Sequence, residues 1–157
     1  MKKLVRVSLM LLVLLCFLGV VSYLNLKTKE KERHKLSSSL IQAIQKNRAG
    51  EVDKVDLSLL TSFSWDRLYV FGPYTLPEKI DMALGHYWIG SRFTEIQSSD
   101  GISLLIFTNN AQVVQYLEFP RSQGDFSLVT NETGYSITEA KFSMDEKGQI
   151  IWAFVNK

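Results

Sequence analysis

Fourteen Asp and Glu residues lie between positions 50 and 157, and their nearest approach to a cluster is Asp66, Glu78 and Asp81. Two carboxyl groups flanking a scissile bond are the machinery of acid–base hydrolysis, one donating a proton while the other activates water or attacks. Spacing along the chain cannot select a pair from so many acids. The plainer assignments are a strand-surface charge for Asp66, a helix cap for Glu78 and a solvated helix face for Asp81. A hydrolase using carboxylates near Asp66 and Glu78 is therefore the alternative function rather than the favoured one.

Other chemistries have fewer starting points. The chain has two histidines, His34 and His86, and one cysteine, Cys16. These are too few donors for a zinc site of convergent His and Cys ligands. No disulfide can close within the chain. His86 would have to serve any Ser-His-acid triad, yet no serine sits in a G-x-S-x-G turn. It reads instead as a helix-end histidine that bonds a carbonyl or packs beside Tyr87 and Trp88. Neither G-x-x-x-x-G-K-[ST] nor G-x-G-x-x-G occurs, so nothing marks a nucleotide phosphate site. The stretch Asp145–Gly148 is too short for a calcium loop and reads as a hairpin turn. No catalytic residue, cofactor or metal is expected.

Aromatic side chains offer more. Phe63, Trp65, Tyr69, Phe71, Tyr74, Tyr87, Trp88 and Phe93 place eight rings in 31 positions. Rings are enriched where proteins recognise partners, and small domains also need them to bury enough area. Trp65, Tyr69 and Phe71 share strand parity, which predicts a common inner face. Tyr74, in a Gly-Pro-Tyr-Thr loop, is the ring least obliged to be buried. The candidate interaction surface is Tyr74 with Asp66 and Arg67, together with the polar segment from Arg121 through Asp125 to Tyr135.

These residues must be positioned by the elements around them. Residues 1–6 form a basic tail carrying Lys2, Lys3 and Arg6. Residues 7–26 are apolar enough, at 20 residues, to cross a hydrocarbon core of roughly 30 Å. Small residues are poorly placed for signal cleavage around Val20 and Ser22, and Leu15 breaks the pattern needed for lipidation of Cys16. The expectation is an uncleaved, single-pass signal anchor with the bilayer as its partner. Lys27, Lys29, Lys31, Arg33 and Lys35 follow it, interleaved with Glu30 and Glu32. The raw basic count slightly favours a cytoplasmic domain. A short Lys-Lys-x-x-Arg head before an apolar core is usually read as N-in, so the domain is expected to be extracytoplasmic.

Charge divides the chain. Residues 1–49 carry ten Lys/Arg against two Asp/Glu, and residues 50–157 carry eight against fourteen. An acidic domain repels a phosphate backbone, which argues against a nucleic-acid partner. Residues 27–49 read as a charged amphipathic helical stalk, with Leu36, Leu40, Ile41 and Ile44 on one face. Barely two heptads are present, so packing on the domain is expected over a coiled coil.

Residues 50–157 read as a globular α+β domain. Thr75-Leu-Pro-Glu78 has the form of a capping box opening a helix that Gly85 ends. Strands are predicted at 52–57, 65–71, 91–97, 102–108, 112–119, 136–144 and 149–155, with residues 102–108 apolar on both faces. The expected fold has helices on one face of a five- to six-stranded, mainly antiparallel sheet. The segment 121–135 is longer than an ordinary connection, which marks it as a functional or mobile loop.

Residues 59–85 followed by 102–119, with Trp65, Asp66, Tyr69, Phe71, Pro73 and Tyr74 in a Trp-Asp-x-x-Tyr-x-Phe-x-Pro-Tyr pattern, resemble a family of small bacterial membrane-anchored or lipoprotein-like envelope proteins. The resemblance covers roughly residues 55–155. It implies a cell-envelope location and carries over no catalytic residue. The chain departs from lipoprotein-like members at Leu15-Cys16. The expected function is a non-enzymatic, membrane-anchored envelope protein presenting a small interaction domain to a protein partner. A structural subunit of a membrane complex and an envelope hydrolase are the alternatives.

Overall fold

A computed structural model describes the backbone of residues 2–145 and 149–152 and the side chains of residues 10–145 and 149–151. Met1 of the basic tail, the tip of the turn expected at Asp145–Gly148 and the end of the last predicted strand lie outside the described residues. The chain forms two compact units, Met1–Glu32 and Arg33–Lys157. Helix α1 (Lys2–Arg48) begins in the first and supplies residues 33–48 to the second.

In the first unit the side chains from Met10 to Leu26 are exposed. An 18-residue window of this helix has a mean hydropathy of 2.0 with none of it buried. A helix that is apolar all round and unburied is long enough to cross a membrane by length and composition.

The second unit contains strands β1 (Val55–Asp56), β2 (Arg67–Phe71), β3 (Ile102–Asn109), β4 (Gln112–Pro120), β5 (Asn131–Ser136), β6 (Lys141–Met144) and β7 (Ile150–Trp152), with helix α2 (Pro77–Leu84). These strands form two antiparallel sheets, not the single five- to six-stranded sheet expected. One has the order β4-β3-β2-β5 and the other β1-β6-β7. Strands β1 and β6 pair over only two residues, Val55 with Phe142 and Asp56 with Lys141. Pairing that short leaves no periodic signature in a sequence, so a linear reading merges it into a meander.

Nor are the helices confined to one face. On one side of β3, Leu105 and Phe107 join Leu36, Leu40 and Ile44 of α1 and Phe142 and Ile150 of the smaller sheet. On the other, Leu104 and Ile106 join Ile80 and Leu84 of α2. A strand apolar on both faces requires cover on both faces. The stripe of α1 packs into the domain core, as its spacing predicts.

Two local expectations fail for identifiable reasons. The capping box does not form: Leu76 is the N-cap, and the Thr75 hydroxyl donates to the Gly72 carbonyl at 2.7 Å. A residue preceding proline is steered out of the helical region, and Leu76 is accordingly extended (φ −72°, ψ 147°). The helix therefore starts one residue late and Thr75 falls out of register. Gly85 ends α2 in the left-handed conformation, φ 74°. The strand expected at 91–97 is a 3-10 turn, Ile89–Phe93. There the Ser91 and Thr94 hydroxyls bond back to the carbonyls of Trp88 and Ser91, the local competition that draws such residues away from ladders.

The segment 121–135 is not an open loop. It holds a 3-10 turn at Ser127–Val129 and most of β5, and it buries Phe126.

Candidate interaction surface

Register defines two ends of the four-stranded sheet. Arg67 pairs with Thr108 and Phe71 with Leu104, while Ile102 pairs with Pro120. One end thus carries Asp66, Arg67 and the β3–β4 turn. The other carries residues 72–74, 100–101 and 120–121. The chosen surface residues split between the two.

At the first end Asp66 is a turn-forming acid. Its Oδ2 accepts the Asn110 amide at 2.7 Å and its Oδ1 accepts the Thr108 hydroxyl at 3.3 Å. That steadies a turn in which Asn110 and Ala111 both have positive φ, 50° and 63°. Arg67 Nη1 donates to the Thr133 carbonyl at 2.8 Å. Tyr135 is buried, its hydroxyl donates to the Val129 carbonyl at 3.0 Å, and burial pushes its phenol pKa up. Its ring stacks edge-on to Phe142 in the core, so Tyr135 supplies no outer surface.

At the opposite end Tyr74 is 60% exposed and sits at φ 61°, a conformation a side chain rarely adopts. Its amide donates to the Ile96 carbonyl at 2.8 Å, which holds the loop in place. Arg121 grips Asp125 through two bonds, Nε to Oδ1 at 3.0 Å and Nη2 to Oδ2 at 2.7 Å. Arg121 also donates to the Asp100 carbonyl at 2.7 Å. The guanidinium bonds, helped by the Ser127 amide, lower the Asp125 pKa to about 2. Tyr74, Arg121 and Asp125 are thus brought to one end, with Tyr74 the exposed member.

The carboxylates considered for hydrolysis are otherwise engaged. Glu78 approaches Arg92 at 3.8 Å, and Asp81 pairs with Arg92 at 2.5 Å and accepts the Trp88 amide at 3.0 Å. Arg92 also lies 4.3 Å from the Tyr87 ring. This cluster fastens α2 to the Ile89–Phe93 turn, while Asp66 serves the β3–β4 turn. His86 Nδ1 lies 3.2 Å from the Leu84 carbonyl, the helix-end position its place in the sequence suggests. Among the described residues no three His, Cys, Asp or Glu side chains are grouped to hold a metal ion.

The eight rings divide as well. Phe63 and Trp65 meet Phe107 edge-on at 5.3 Å each. Tyr69 and Phe71 stack on one another in the opposite core, so Trp65, which precedes β2, does not share their face. Trp88 meets Tyr116 edge-on at 5.3 Å. Tyr87 (63% exposed) and Phe93 (77%) join Tyr74 at the surface, with Ile89 (54%) between them.

Arg33, which the sequence shows only as one of the basic residues after the apolar run, is held against the sheet. Its guanidinium carbon lies 3.9 Å from the Tyr116 ring centroid, and its Nε donates to the Tyr116 carbonyl at 2.9 Å. Both Nε and Nη2 also reach Gln115 Oε1 at 3.3 Å. Position 33 extends the stripe of residues 36, 40 and 44 by one helical turn, and that spacing is the signal for it. Eleven residues further on, Ile44 packs so closely on Gly124 that an added Cβ would displace its Cδ1. Within the globular unit α1 thus meets β4 at Tyr116 and the segment after β4 at Gly124. No family model matches the chain, and no characterised protein or solved structure matches it significantly.

Proposed function

We propose that this chain is a non-enzymatic component of the bacterial cell envelope, anchored by its first helix and carrying its globular unit outside the cytoplasm as an interaction domain. The carrying observation is the segment from Met10 to Leu26, apolar and wholly unburied, while the globular unit completes its core without it. Exposed apolar surface of that extent has no stable place in water and a natural one in lipid.

The charge layout supports the reading. The basic residues Lys2, Lys3 and Arg6 precede the apolar run in the layout of a signal anchor. A binding role rather than a hydrolytic one is favoured because Glu78 and Asp81 are engaged by Arg92, and Asp66 by a turn. Tyr74 is the anchor offered to a protein partner, since its left-handed backbone is a strain that survives at recognition sites.

Protease treatment of cells stripped of outer membrane or wall tests sidedness. Digestion of residues 50–157 with a cytoplasmic marker left intact is the expected result. Protection of the domain until the membrane is dissolved would reverse the orientation.

A further inference from the structure

Three large apolar side chains stand exposed within seven residues: Tyr87, Ile89 and Phe93. Scattered exposed apolar residues need no explanation, but a local concentration marks an interaction face. Its place in the globular unit identifies the occupant. The tether joins this unit at Arg33, whose guanidinium stacks on Tyr116. Tyr116 in turn meets the Trp88 indole. Trp88 lies so tightly over Gly90 that a Cβ there would collide with the ring. A continuous ladder of contacts therefore runs from the tether's point of attachment to the turn bearing Ile89 and Phe93.

Chain length adds a second constraint. Only Lys27–Glu32 separates Leu26, the end of the apolar run, from Arg33. Six residues reach no more than about 25 Å even when fully extended. A patch adjoining Arg33 is thereby restricted to the neighbourhood of whatever surface the apolar helix leaves. Aromatic and aliphatic side chains flanked by an arginine are the chemistry of the bilayer interface, where rings rest at headgroup depth. Arg92 beside Tyr87 has its charge balanced by Asp81, so the patch carries little net charge.

We infer that Tyr87, Ile89 and Phe93 form a lipid-docking face that seats the globular unit on the bilayer in which its own helix is anchored. The inference rests on the anchored reading and deepens it. Such seating limits the directions in which Tyr74 can be presented to a partner.

The full chain in phosphatidylethanolamine–phosphatidylglycerol vesicles tests this. In a Cys16→Ser background, a polarity-sensitive fluorophore is attached at Ile89→Cys, Phe93→Cys or, as control, Leu128→Cys, an exposed site on the Ser127–Val129 turn. Lipids bearing a nitroxide near the headgroup then report contact. The expected result is a several-fold loss of emission at positions 89 and 93 and little at 128. Emission at 89 and 93 that persists as at 128 would overturn the docking face. The unsubstituted chain labelled at Cys16, in vesicles whose nitroxide sits deep on the acyl chain, separates the two claims: quenching there, with none at 89 and 93 by the headgroup nitroxide, defeats the docking face and leaves the anchor standing. No quenching at Cys16 defeats both.

Discussion

Arg121 and Asp125 stand four residues apart where the chain leaves β4, and their paired bonds close that segment on itself. The Asp125 carbonyl accepts the Ile150 amide at 3.0 Å, so the same residue joins the segment to β7. Asp125→Asn removes one charge and half of a bidentate pair, at a cost of about 2 kcal/mol near neutral pH. The folded pKa of about 2 lies below the ordinary value of 3.8. Folding therefore favours the ionised form, and the stability it adds is complete above the ordinary value and lost as pH falls through the folded one. Urea titrations should show a wild-type advantage over Asp125→Asn that is constant above about pH 5 and shrinks from there toward pH 2. A pH-independent difference would mean that the carboxylate charge is not the source. The sequence singled out both residues only as members of a polar segment, because an i, i+4 pair outside a helix has no periodic signature.

Among the elements, β3 and β4 were legible almost to the residue, because long apolar runs bounded by Asn109-Asn110 and Pro120 constrain little else. The stripe on α1 was equally plain. What the sequence could not convey was partnership. Strand β2 pairs with β5 on the far side of a long segment, and β6 pairs with the two-residue β1, so neither follows chain order. The interaction surface suffered for the same reason: Tyr135 belongs to β5 and faces the core, a fact fixed by pairing and not by composition. Arg33 tests how α1 is fastened to β4. Arg33→Ala removes a stacked cation and its bonds to Tyr116 and Gln115, and should lower stability by about 2 kcal/mol in urea melts. Arg33→Lys should restore less than half, since an ammonium cannot stack flat and reach both acceptors. Full rescue by lysine would reduce the contact to simple charge.

At the scale of the whole molecule, an acidic folded unit is joined within six residues to an apolar helix, and each half accounts for the other's composition. Basic residues cluster at the two ends of the apolar run, the layout that headgroup contact would favour, and carboxylates such as Asp66, Asp81 and Asp125 fasten turns in the globular unit. Retention of the first helix in the mature protein is the claim on which anchoring, location and lipid docking all depend. Intact mass of the protein from alkali-washed membranes measures it directly. The account predicts the full chain of 17.9 kDa, in the membrane pellet. A shorter chain beginning near residue 23 and recovered in the soluble fraction would contradict it.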